Sequence, residues 1–328
     1  MNSLQDALRS ANSLMQKYFV PIIVGCFALG GMFPDVLGSF KPWVPWLFAA
    51  MTLTGALRVS LKEIKHALLS PFQIVTALAV LHVIFPALVF LIGKAGLAND
   101  PDLYAGLALL SAVPTAVSGI MWVTLMKGNV ALGVTLVTLD SILSPLVVPA
   151  TVMIVAGAAV SFDAGSLMVS LLWMVVVPTI IGVTLHEATD GRIAEAVAPY
   201  GAVFCKLVLG SVIAINVGAS WEKVASYTGN FLVLFSILLG MTLLGFVVAW
   251  TVARLLIRDP ADATTITFVS GMRNISAGVV LAMSGFDPLV SIPVTGAILF
   301  QQPVAALVAR LMQRRRAGTV SASEAVSV

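Results

Sequence analysis

Charge is what this chain has least of. Of its 328 residues, 18 are Lys or Arg and 15 are Asp or Glu, so 10% are charged, where a soluble domain carries about 25%. With 59% hydrophobic residues and a mean hydropathy of +1.03, that scarcity excludes a water-soluble globule. Cysteine is nearly absent: Cys26 and Cys205 both fall in apolar segments. They offer no disulfide framework and read as small core residues. The net charge of +3 is explained below by membrane topology and does not point to nucleic acid.

Histidine is as sparse, with His66, His82 and His186 alone, and that removes enzyme motifs. His186-Glu187 lacks the second His of a zinc-protease pair. Gly218-Ala219-Ser220 has the flavour of an intramembrane serine protease, but no His follows it downstream. There is no phosphate-binding loop, which excludes an ATP-driven pump for this chain alone. Neither an enzyme nor a cofactor-dependent protein is expected.

What the chain has in abundance is apolar runs of about 20 residues, the length that crosses a bilayer. They recur at roughly 18–34, 43–60, 72–93, 103–126, 129–157, 166–186, 199–219, 230–257, 262–286 and 289–312. The expected fold is an all-α polytopic membrane protein of ten transmembrane helices. With the N-terminus inside, the inner segments hold 13 Lys and Arg and the outer loops hold Lys41, Lys94 and Lys223. The positive-inside rule then sets both termini in the cytoplasm, at the plasma (inner) membrane. Trp43, Trp46, Trp221 and Tyr227 fall at outer ends, where aromatic rings favour the headgroup level. Residues 1–17 space Leu4, Leu8, Leu14 and Met15 as an interfacial helix does, and no cleavable signal is present. Residues 18–316 form the transporter domain, and 317–328 a disordered tail.

The two halves repeat. Pro21-Ile-Ile-Val-Gly25 returns as Pro178-Thr-Ile-Ile-Gly182 at an offset of 157 residues, and both Ser118/Ser276 and Pro145/Pro303 are 158 apart. Five spans per half makes the repeat inverted, as in many secondary transporters. Spans 4 and 9 are expected to be broken. Span 4 carries Ser111-Ala-Val-Pro114-Thr-Ala-Val-Ser118-Gly119, and span 9 carries Ser270-Gly271-Met272-Arg273-Asn274-Ile275-Ser276. Proline removes a backbone hydrogen bond, glycine loosens the helix, and Ser or Asn can satisfy freed groups. Two such breaks crossing at mid-membrane aim half-helix N-termini at one place, which suits an anion.

Arg273 stands in the second break. Arg at the centre of a membrane helix costs roughly 2.5–3.5 kcal/mol on insertion scales, so it requires a cavity, a partner or a ligand. Its planar fork suits a carboxylate or sulfonate. Asp140 is the one acid deep within a span and is the expected counter-ion of Arg273, or a proton-coupling group. Asn274, Ser118, Gly119, Ser276, Gln301 and Gln302 are further candidates for a substrate site at the crossing. His82 is read as packed and hydrogen-bonded in preference to a proton relay, and Lys206 as reaching the inner interface.

With Pro34-Asp35, Pro45-Trp46-Leu47, Pro86, Pro114, Lys127-Gly128-Asn129-Val130-Ala131-Leu132, Ser144-Pro145-Leu146 and Gly271-Met272-x-Asn274, the chain resembles the bile acid:sodium symporter family over roughly residues 15–315. The resemblance implies two bundles, one of helices 1, 2, 6 and 7 and one of helices 3–5 and 8–10. It also implies crossing helices 4 and 9, and organic anion substrates generally moved with sodium. The positions that carry sodium ligands in the family fall here on Leu81, Gly119, Ile120, Gly133, Val137, Val269 and Arg273. Apolar side chains and an Arg do not supply sodium's oxygens. The expected protein is therefore a carrier of small organic anions that does not use the usual sodium sites, with proton coupling in question. The alternatives are a conventional sodium symporter and a non-transporting ligand sensor on a transporter scaffold. An arsenite-type carrier would need a Cys in helix 4, and a sodium/proton exchanger more than one carboxylate at the break.

Overall fold

A computed structural model describes residues 2–67, 70–94, 100–157, 162–226 and 231–326; Tyr227, expected at an outer end, and residues 327–328 lie outside them. Among the described residues there is no strand, and the chain runs as helices joined by short turns. In order they are α1 (Asn2–Lys17), α2 (Phe19–Met32), α3 (Pro34–Gly38), α4 (Val44–Ala56) and α5 (Leu61–Ala67). Next come α6 (Pro71–Lys94), α7 (Pro101–Ala112), α8 (Ser118–Leu125) and α9 (Val130–Ala156). The second half holds α10 (Ala164–Ala188), α11 (Arg192–Ser226), α12 (Phe231–Leu256), α13 (Pro260–Gly271), α14 (Ile275–Gly285) and α15 (Ser291–Val326). Where a disordered tail is expected from 317, the helix continues to Val326. Among the described residues, six helices, α6, α9, α10, α11, α12 and α15, are long and apolar enough to cross a membrane. This is an all-α, multi-pass membrane protein.

Helix starts follow from short polar residues and proline. Asp100 caps α7, its carboxylate accepting from the Asp102 and Leu103 N–H groups, with Pro101 in the first turn. Asp259 caps α13 in the same way, accepting from Ala261 and Asp262 ahead of Pro260. Proline suits a first turn because its missing N–H has no helical partner there, and a capping carboxylate satisfies donors the helix leaves open.

α6 and α10 each contain one π-helical turn, at Val80–Ile84 and Leu172–Val176. Each turn lies just before a proline, Pro86 or Pro178. The repeated Pro-x-x-x-Gly segments nevertheless end in unlike surroundings. A Cβ on Gly182 would lie 2.5 Å from that of Ala56, so this glycine allows α10 to touch α4, whereas Gly25 has nothing within 4 Å.

α11 packs along α1, α2, α3 and α4, and α10 lies on α4. Lys206 of α11 reaches α1, donating to the Asn12 backbone carbonyl at 3.0 Å and to its side-chain oxygen at 2.7 Å. On the other side, α7 packs on α6, α9 and α15, and α12 packs on α13 and α15. The buried apolar side chains fall into two cores. One contains Leu107–Leu110 of α7 and Val279–Ala282 of α14. The other contains Val123 of α8, Leu132 and Leu136 of α9, and Ile266 and Phe268 of α13. Spans 4 and 9 are thus each split between two cores, and the irregular segments 113–117 and 272–274 lie where the cores meet.

Candidate functional site

A helix that stops inside an apolar core leaves N–H and C=O groups without water, and each needs a protein partner. The two interrupted segments serve one another. Thr115 and Arg273 form an isolated antiparallel bridge, in which Asn274 N donates to Pro114 O at 2.7 Å and Ala116 N to Met272 O at 3.2 Å. The Thr115 hydroxyl, fully buried, donates to Val269 O and to Met272 O, the latter at 3.1 Å, covering the open end of α13. Asn274 restarts the chain as the cap of α14, accepting from Ala277 N at 3.1 Å. Gln301 of α15 clamps the middle residue on both sides, accepting from Arg273 N at 2.8 Å and donating to Arg273 O at 3.0 Å.

The remaining N–H, that of Thr115, donates at 2.6 Å to Asp140 Oδ2. The other carboxylate oxygen, Oδ1, lies 2.6 Å from His82 Nε2. Asp140 is fully buried and the His82 side chain 11% exposed. His82 Nδ1 is buried and has no hydrogen-bond partner among the described residues.

The Arg273 side chain is 4% exposed, and its setting follows from Pro86. Within the π turn of α6, Phe85 N donates five residues back, to Val80 O. The next donor in that pattern would be residue 86, and proline has none. Leu81 O is left over, and Arg273 Nη2 donates to it at 3.1 Å. The guanidinium carbon lies 4.5 Å from the centroid of the Phe85 ring. A desolvated cation–π contact is worth about 2 kcal/mol and a hydrogen bond from a charged donor about 1.5–3. Together they offset the roughly 2.5–3.5 kcal/mol that an Arg costs at a helix centre. Nη1 is buried without a partner among the described residues. A small cavity beside this side chain is lined by Phe85, Met241, Thr242, Gly245, Ser270 and Gln301, among others.

Residues 17–317 match the SBF-like CPA transporter family. The chain belongs to that family. Its relatives include "Uncharacterized protein YbaS" of Bacillus subtilis, 34% identical over 87% of this chain and 94% of the relative. "Uncharacterized sodium-dependent transporter YocS" of the same organism is 25% identical over 88% of each chain. The rice "Probable sodium/metabolite cotransporter BASS1, chloroplastic" is 28% identical over 88% of this chain and 70% of the relative. This family member is a secondary transporter and not an enzyme, and the likeness to bile acid:sodium symporters noted from the sequence holds.

The hydrogen-bonded network at the crossing gathers four of the expected residues, Arg273, Gln301, Asp140 and His82, with Asn274 at its edge. One expectation changes. Asp140 is not the direct ion-pair partner of Arg273: no carboxylate among the described residues lies within 4.0 Å of the guanidinium, and Asp140 pairs with His82. His82 is packed and hydrogen-bonded, as the sequence suggests, and its partner is Asp140. The remaining candidates lie outside the network. Ser118 is exposed on the first turn of α8. Gly119 is buried against the Phe268 backbone, Ser276 is half-buried on α14, and Gln302 Oε1 accepts from Trp122 Nε1 at 3.0 Å. Sequence reasoning missed Leu81, Phe85 and Thr115. Pro86 was the available signal for the first, since a proline in a buried helix frees a carbonyl upstream.

Proposed function

We propose that this transporter carries small organic anions of carboxylate or sulfonate type by alternating access, and that Arg273 takes the place of a coupling cation. In this arrangement ten spans form a 5+5 inverted repeat. Helices 3–5 and 8–10 (α6–α9 and α12–α15) move against helices 1, 2, 6 and 7 (α2, α4, α10 and α11). Both termini are cytoplasmic at the plasma membrane, and residues 1–17 lie along its surface. The recurrence of an Asp cap followed by Pro at the start of both interrupted spans, Asp100-Pro101 and Asp259-Pro260, supports the repeat.

The main support is the buried guanidinium at the crossing, whose Nη1 has no partner among the described residues. A permanent cation held by Leu81 O and Phe85 keeps its attraction for an anion in low dielectric. A sodium ion fits poorly beside it. The family positions Leu81, Val137 and Val269 bear buried apolar side chains, Gly119 and Gly133 bear none, and the Leu81 carbonyl is already taken by Arg273. The printed names of two relatives favour a second possibility, a conventional sodium-coupled symporter with rearranged ligands.

A thermal-shift series on the purified protein with small carboxylates and sulfonates, with and without sodium, separates the two. Equal stabilisation in both buffers is expected, and stabilisation that requires sodium would establish the second. Arg273→Ala is expected to abolish the stabilisation and Arg273→Lys to weaken it, because an ammonium keeps the charge but not the fork.

A further inference from the structure

Asp140 and His82 form a buried pair whose bonding fixes where another proton can go. An ionised Asp140 accepts from Thr115 N through Oδ2, and its Oδ1 lies 2.6 Å from His82 Nε2. A carboxylate can only accept, so Nε2 carries the hydrogen and the neutral imidazole's lone pair is on Nδ1. Nδ1 is the atom without a hydrogen-bond partner among the described residues. A proton arriving there turns a neutral imidazole into an imidazolium, still donating through Nε2 to the carboxylate.

Among the described residues, the surroundings leave one other charge to consider. On the elements packed against α6 and α9, Asp102 and Tyr104 stand in the first turn or two of α7, Arg254 in the last turn of α12, and His186 and Glu187 at the end of α10. Lys62, Glu63, Lys65 and His66 belong to the short α5. Asp262, in the first turn of α13, is held by Gln73 at 3.0 Å and Asn129 at 2.8 Å. All of these are at helix ends or on a short helix. Arg273 shares the middle of the fold with the pair, bonded to Leu81, the residue before His82, and it feels the charge of Asp140.

Charge therefore decides the coupling. With His82 neutral, Arg273 and Asp140 sum to zero, a tolerable state in a low-dielectric interior. A bare anion entering would leave the group at minus one. A proton alone would leave it at plus one. Taken together, proton and monovalent anion restore neutrality, and each lowers the cost of the other. We propose that the His82–Asp140 pair is a proton-binding site that loads one proton, on His82 Nδ1, together with one monovalent anion at Arg273. The coupling half of this inference rests on the anion role of Arg273, and the proton site does not.

The test is nitrogen NMR on the purified full chain labelled with ¹⁵N-histidine, titrated between about pH 5 and 9. His66→Gln and His186→Gln identify the His82 signals by elimination. The expected result is that Nδ1 gains and loses its proton reversibly in this range while Nε2 stays protonated. A His82 held in one protonation state throughout overturns the proton site.

Pyruvate and methanesulfonate serve as probe anions. Their presence should raise the His82 midpoint, and their apparent affinity should fall about tenfold per pH unit above it, as one-proton linkage requires. A midpoint that ignores both anions, in protein they stabilise, overturns the coupling. A silent His82 beside stabilisation that Arg273→Ala removes overturns the proton site and leaves the anion role of Arg273 standing. A titrating His82 in protein that neither anion stabilises overturns the coupling through failure of that role.

Discussion

The two interrupted helices pose the same backbone problem and solve it with different chemistry. Each first half starts with an Asp cap and a proline, each stops inside the apolar interior, and each contributes one residue, Thr115 or Arg273, to the shared bridge. The N–H freed at Arg273 goes to Gln301, a neutral amide that also serves the carbonyl of the same residue. The N–H freed at Thr115 goes to Asp140, a carboxylate whose second oxygen meets a histidine. An amide closes its account with the backbone and has nothing to titrate. A carboxylate in the same role brings charge, and charge in low dielectric must be answered by other groups. One break is thus held by a passive clamp, while the other is tied to ionisable groups.

Removing each clamp sharpens that contrast. Asp140→Ala leaves both the Thr115 N–H and the His82 Nε2–H buried without an acceptor and Arg273 without its nearby negative charge. The expected loss is about 3–6 kcal/mol, from two hydrogen bonds to a charged acceptor at about 1.5–3 each. Gln301→Ala strips one donor and one acceptor from the Arg273 backbone and should cost less, about 1–3 kcal/mol. Unfolding in detergent micelles by denaturant reads both, and equal losses would show that the charge at Asp140 adds nothing to the clamp.

A smaller difference is expected among the glycines that follow each break. A Cβ on Gly278, in the first turn of α14, would lie 2.8 Å from Val294 Cγ1 and 3.2 Å from Val113 Cγ1. Crowding of that kind costs about 1–3 kcal/mol. A Cβ on Gly119, in the first turn of α8, would meet Phe268 O at 3.4 Å, an ordinary contact. Gly278→Ala should therefore lower the unfolding midpoint measurably and Gly119→Ala hardly at all. Equal shifts would show that the two half-helices pack alike.

Much of this arrangement is legible in the residues. Both break positions follow from Pro114 and from the Gly271–Asn274 run, and Arg273 announces itself because a charge among apolar neighbours must be compensated. Asp140 is visible as a lone acid in a span, but its partner is not. From spacing alone, a cation and an acid in neighbouring spans look like an ion pair. Only the register of α6 against α9 brings His82 to the carboxylate, and the π turn before Pro86 gives the guanidinium another acceptor in Leu81 O. Gln301 lines the cavity, as its place in span 10 suggests, but nothing in the sequence shows that both ends of its amide bond one backbone. The tail after 316 reads as small and polar, yet α15 extends through it to Val326.

Membrane residence, helical class and the sites of interruption were set by the sequence itself, because hydropathy, proline and capping residues act within a few positions of where they stand. The partners of Arg273, Asp140 and His82 were decided by tertiary structure. Each depends on which carbonyl a distant proline leaves free and on how two helices are rotated against one another. A hydrogen bond forms or fails over a few tenths of an ångström, and no local pattern in the chain carries that precision.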